Sequence, residues 1–84
     1  MTKAEFDYLN ASVKVEYIHK DGVYIGKVNE EGLTSILFQL HSFYVEVYYK
    51  TYSDEVHRIE TYISPEIIDK YIPETGKEKT FIRI

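Results

Sequence analysis

Phe43-Tyr44-Val45-Glu46-Val47-Tyr48-Tyr49-Lys50 decides the fold of this 84-residue chain. Side chains of a strand point alternately to two faces. Val45, Val47 and Tyr49 therefore share one face, while Tyr44, Glu46, Tyr48 and Lys50 share the other. Tyr52-Ser53-Asp54 then reads as a turn and Val56 to Ile63 as the returning strand. Its Ile59 and Ile63 join the aliphatic face, and Arg58, Glu60 and Tyr62 join the face of rings and charges. Two registers preserve these faces. One sets Tyr48 against Arg58 and Glu46 against Glu60, and directly opposed like charges destabilise. The other slips by two, pairs Glu46 with Arg58, and leaves Thr51-Tyr52-Ser53 as the loop. The second is expected, by ~0.2–1 kcal/mol per cross-strand pair.

Upstream of this hairpin, Leu33 to Leu40 reads as a strand, separated from Phe43 by a break or bulge at His41-Ser42. Asn29-Glu30-Glu31-Gly32 is a turn, and Val23 to Val28 another strand. Asp21-Gly22 carries the signal of a two-residue hairpin turn, in which both central residues need positive φ. Val13, Val15 and Tyr17 alternate with Lys14, Glu16 and Ile18, which predicts a first strand from Ser12. Ahead of it, Thr2 and Glu5 fit a capping box for a short helix over 3–9, with Phe6 and Leu9 on its apolar side.

Downstream, Ser64 caps a helix with Pro65 at its first position and Glu66 at the positive end of the dipole. Ile67, Ile68, Tyr71 and Ile72 form its apolar stripe, and Pro73 ends it. A polar loop leads to Thr80-Phe81-Ile82-Arg83-Ile84, a strand-like tail. The expected fold is α+β: an antiparallel β-meander of about five strands, with a short N-terminal helix and a C-terminal helix packed on one face. It is read as a single domain over 1–84, with 73–84 as a flexible or exchanged tail.

Composition narrows the function classes. The chain has no cysteine, so thiolate chemistry, disulfides and finger-type zinc sites are excluded. Apolar runs such as Ile36-Leu37-Phe38 fall far short of the ~20 residues that a membrane span needs. Met1 to Asp7 has no apolar secretory core. These features lead to the expectation of a cytoplasmic protein without membrane contact. A net charge of −4 argues against phosphate-backbone binding. Nine Tyr and four Phe supply rings suited to a pleated surface.

No catalytic pattern stands out. His19, His41 and His57 have no i,i+4 spacing, and by alternation His57 falls on the buried side. Ser12, Ser35, Ser42, Ser53 and Ser64 occur outside any G-x-S-x-G elbow. Gly22, Gly26, Gly32 and Gly76 form no phosphate cradle, and no RNP-like pattern accompanies the aromatics. Glu46 is the one acid in the middle of an apolar strand, and alternation sends it outward as a solubilising or paired charge. No catalytic residue, metal ligand or cofactor is expected.

Phe43-Tyr44-Val45-Glu46-Val47-Tyr48-Tyr49, its polar turn and Val56-His57-Arg58-Ile59 resemble a pattern in small bacterial proteins of unassigned function. The resemblance covers about residues 33–72 and implies a bacterial cytoplasmic origin, with no activity or site attached.

What remains is a non-catalytic interaction domain that associates with itself or with another protein. Tyr44, Glu46, Tyr48, Lys50, Arg58 and Tyr62 form the candidate interaction face. Phe81, Ile82 and Ile84 form the candidate oligomer tail, able to add to a sheet edge. The alternatives are a small-ligand or peptide site in the helix–sheet cleft, lined by Tyr49, Tyr71 and His57, and single-strand nucleic acid stacked on Tyr44, Tyr48 and Tyr62.

Overall fold

The computed structural model describes residues 1–71. Two α-helices, α1 (Lys3–Asp7) and α2 (Ala11–Asp21), precede four strands: β1 (Val23–Glu30), β2 (Leu33–Leu40), β3 (Phe43–Lys50) and β4 (Val56–Tyr62). A 3₁₀ helix follows over Pro65–Lys70. The strands form one antiparallel sheet in the order β1-β2-β3-β4, each paired with its sequence neighbours. The α+β meander is thus present with four strands, not five. The tail 73–84, with Phe81, Ile82 and Ile84, lies outside the described residues.

The missing strand is α2. Asn10 caps it, its side-chain oxygen accepting from the Val13 N–H at 3.0 Å. Val13 and Tyr17 are four residues apart and Val15 and Ile18 three, so the same residues that alternate as a strand also make a helical stripe. The cap decides between the two periods, because it satisfies a first-turn donor that a strand would not present. His19 and Lys20 occupy the last turn, where positive charge suits the dipole. Gly22 accordingly has φ −74°, and no hairpin turn forms at Asp21-Gly22. The capping box of α1 is complete: Thr2 Oγ1 accepts from Glu5 N, and Glu5 Oε1 accepts from Thr2 N.

Turns set the remaining boundaries. Glu31-Gly32 links β1 to β2, with Gly32 at φ +75°, a conformation that glycine adopts without a Cβ penalty. His41-Ser42 is a full two-residue turn, not a break, because Leu40 still pairs Phe43. His41 takes φ +57° to close it.

The β3–β4 register is the one that opposes Glu46 and Glu60 and sets Tyr48 against Arg58. Like-charge repulsion does not prevail because the two carboxylates part company. Glu60 stays exposed beside Arg58, Nε–Oε2 3.5 Å, while Glu46 is neutralised from above the sheet. A bulge follows, with Tyr49 pairing Val56 so that His57 is the extra residue. It moves Val56 to the core side and leaves His57 exposed, reversing its expected burial. Ile63, expected inward, lies beyond the end of β4 and is exposed.

The core sits between the sheet and the N-terminal helices. Phe6, Ile18, Leu40, Phe43, Val45 and Val47 are buried there, with Tyr49, Val56 and Ile59 packed around them. The Phe6 and Phe43 rings meet at 5.5 Å and 54°. The aliphatic face of β3 is therefore the inner one, as alternation requires. The C-terminal helix, however, does not lie on it. The 3₁₀ helix packs on the opposite face, so the sheet is covered on both sides.

Candidate functional site

The second face of β3 carries a buried acid. Glu46 is 0% exposed, and four donors converge on its carboxylate. Tyr48 and Tyr62 donate to Oε1, each at 2.9 Å. Lys70 Nζ donates to Oε2 at 2.8 Å, and the Tyr71 hydroxyl donates to the same oxygen. Lys70 also donates to the Tyr48 hydroxyl at 3.0 Å.

Local structure brings each donor to the acid. Tyr48 follows Glu46 by two residues and so shares its face. Tyr62 reaches it from β4, where it pairs with Tyr44 one step along the same face. Lys70 and Tyr71 arrive at the end of the 3₁₀ helix, whose start is fixed by Ser64 accepting from Glu66 N. Gly26 on β1 makes room for the last of them. A Cβ on Gly26 would stand 3.0 Å from Tyr71 Cβ, closer than real packing permits without a shift.

Cations complete the layer. The Arg58 guanidinium lies 4.1 Å from the Tyr48 ring centroid, and Lys70 Nζ lies 5.0 Å from it. Tyr48 is 6% exposed, closed in by them.

A buried carboxylate is costly unless it is paired and hydrogen-bonded. Here burial pushes the Glu46 carboxyl up, but the bonds from Lys70, Tyr71, Tyr48 and Tyr62 outweigh it, and the group is held below the usual carboxylate range. The donors respond in the opposite sense. Burial and the adjacent carboxylate push the Tyr62 phenol up to about 12 and raise Tyr71 as well. Lys70 is raised by Glu46 and Tyr48 against its own desolvation.

The sign of the pH dependence follows. Glu46, depressed in the fold, stabilises above its unfolded pKa and loses that contribution as pH falls through the acid range. Tyr62 and Tyr71, raised in the fold, stabilise below the ordinary phenol pKa of about 10 and lose it as pH climbs beyond. Chemical denaturation across pH is expected to show a plateau at neutrality with losses on both flanks. In Glu46→Gln the acid-side loss attributable to this group is expected to vanish. An unchanged acid limb would show that the fold does not lower the pKa of this carboxyl.

Tyr44, Glu46, Tyr48, Arg58 and Tyr62 of the candidate interaction face are thus assembled on one side of the sheet, but that side is not a wet surface, and Lys50 lies at the strand end. Glu46 and Tyr48 are buried, Tyr44 and Tyr62 half-buried, and Lys50 and Arg58 exposed. A base could not stack on Tyr48 without displacing Arg58. The cleft expected from Tyr49, Tyr71 and His57 does not form. Tyr49 packs against the core on the inner face, Tyr71 lies on the opposite face, and His57 is exposed at the bulge. Lys70 and Tyr71, which complete the acid's shell, were not among the residues expected at the site. The available signal was the isolated glutamate itself, an acid inside an apolar strand with tyrosines two residues away on either side.

No protein-family model matches the chain, and no curated protein or solved structure matches it. Among the described residues, no helix is long and apolar enough to cross a membrane, and no group of three or more His, Asp or Glu is placed to hold a metal ion.

Proposed function

We propose that the chain is a small non-catalytic interaction domain that associates with a second copy of itself through the edge of its sheet. The observation that carries this reading is the state of β1. Among the described residues it pairs on one side only, with β2. Its first residues, Val23 and Tyr24, are 62% and 60% exposed. An edge strand presents unpaired backbone groups that template another strand.

On its sequence pattern, Thr80 to Ile84 is the segment proposed to add to this edge. Tyr71 packs on Gly26 of β1, so the polypeptide leaves the described residues beside this edge. Residues 72–79 then span at most about 26–29 Å before residue 80. That reach is long enough for the proposed contact of Phe81, Ile82 and Ile84 with β1 of a neighbouring copy. The small size of the domain favours such stabilisation, since short chains without disulfides or metals bury limited core. The saturated carboxylate supports a non-catalytic role, because both of its buried oxygens are already taken up by four donors within the chain.

Light scattering on the full chain and on a variant lacking residues 80–84 tests the reading. The full chain is expected at twice the monomer mass, falling to the monomer on deletion. A monomeric mass for both would sink it, as would a dimer that survives the deletion. A monomer whose stability drops on deletion would place the tail on its own sheet.

A further inference from the structure

The N-terminal helices do not cover the whole inner face of the sheet. At the end of the face away from Phe43, a cavity of about 450 Å³ opens, and no helix residue lines it. Ile36 and Tyr49, both half-buried, are among its walls. Small-molecule sites commonly have this volume, about 300–1,000 Å³, but here Ile36 and Tyr49 supply the apolar wall and the other lining residues are polar.

The polar groups have a definite sense. Lys27 and Lys50 line the cavity against a single acid, Asp54, so its lining is net positive on a chain of net charge −4. Lys27 makes no ion pair among the described residues. Lys50 makes only a loose one, 3.6 Å from exposed Glu55. Thr34 Oγ1 donates to Asn29 Oδ1 at 2.9 Å, which occupies that amide's acceptor and leaves its NH₂ group as a donor. The groups facing the cavity are therefore mostly donors and cations, beside one aromatic ring. Asp54 adds one acceptor and repels a second negative charge.

We propose that this cavity binds a small organic monoanion with a planar ring and a hydroxyl group. The anionic end meets Lys27 and Lys50, the ring packs along Ile36 and Tyr49, and the hydroxyl donates to Asp54. The site is on the opposite face from the Glu46 cluster; Lys27 and Asn29 belong to β1, but the site uses their side chains and neither the strand's free backbone groups nor the tail.

The test is a chemical-shift titration of the full chain with 4-hydroxybenzoate, and in parallel with phenyl phosphate, phenol and inorganic phosphate. Saturable shifts are expected at the amides of 27–29, 34–36 and 49–54, with a Kd of about 1 mM, ordinary for a ligand of this size. The doubly substituted Lys27→Ala/Lys50→Ala chain, changed only at exposed side chains, is expected to bind at least about tenfold more weakly. No saturable shift with 4-hydroxybenzoate, shifts centred elsewhere, or equal affinity in the double variant would overturn the site. Phenol binding as well as 4-hydroxybenzoate would remove the anion from the recognition. Tighter binding of phenyl phosphate would overturn the assignment to a monoanion.

Discussion

Glu46→Leu is expected to lower the unfolding free energy by about 3–5 kcal/mol, the range found when one partner of a buried charge pair is removed. The substitution roughly conserves volume and adds apolar surface, so hydrophobicity alone would make it stabilising. The loss arises from the donors left behind. Tyr48, Tyr62 and Tyr71 would lose the acceptor of their hydroxyls, and Lys70 its counter-ion. Each buried donor without a partner costs about 1–3 kcal/mol. Lys70 is about one-third exposed and can turn to water, which offsets part of the cost. Total stability for a domain of this length is of order 4–12 kcal/mol, so the variant would be partly unfolded at modest denaturant concentrations. Denaturation of Glu46→Leu, Lys70→Met and the double variant isolates the pair. A coupling near zero would mean that the acid and the lysine act separately, and a stable Glu46→Leu chain would show that the donors find other acceptors.

Phe43→Ala is expected to cost a similar ~3–5 kcal/mol by a different route. Phe43 is fully buried and meets Phe6 at 5.5 Å, beneath the helix whose capping box holds Phe6 in place. Truncation removes transfer energy and leaves a void that a sheet pinned on both sides closes poorly. The two variants separate by pH. The Phe43→Ala loss should be flat between pH 3 and 8, since no charge is involved, whereas the Glu46→Leu loss should shrink as the wild-type carboxylate protonates. Parallel pH profiles for both would contradict the lowering of the Glu46 pKa by its donors.

The inner face of β3 was legible because one residue in two is aliphatic and the period is short. Strands β2 and β3 have the boundaries that alternation gives, and the facing of Val45 and Val47 follows. Residues 11–21 were not legible by the same rule. Val13, Val15 and Tyr17 alternate as a strand would, while Val13 with Tyr17 and Val15 with Ile18 keep helical spacing, and the Asn10 cap decides between them. His57 shows a second limit: one inserted residue reverses the inside and outside of everything before it, and nothing in Val56-His57-Arg58 announces a bulge. For the acid site, alternation gave the correct face and the wrong environment. Which face stays wet depends on where the chain goes later, and Lys70 and Tyr71 come 24 and 25 residues after Glu46. Pairwise charge rules also fail there, because the opposed Glu46 and Glu60 are relieved by a cation outside the sheet.

That separation has a consequence for biosynthesis. Chains emerge from the ribosome amino end first, at about 5–20 residues per second. The helices and all four strands are available while the acid on β3 still lacks its lysine and one tyrosine. Until those residues arrive, the Glu46 carboxylate lacks its counter-ion and one of its hydroxyl donors. Arrival of residues 70 and 71 withdraws the charge from water and closes the surface, so the outer face is sealed only after the four strands exist.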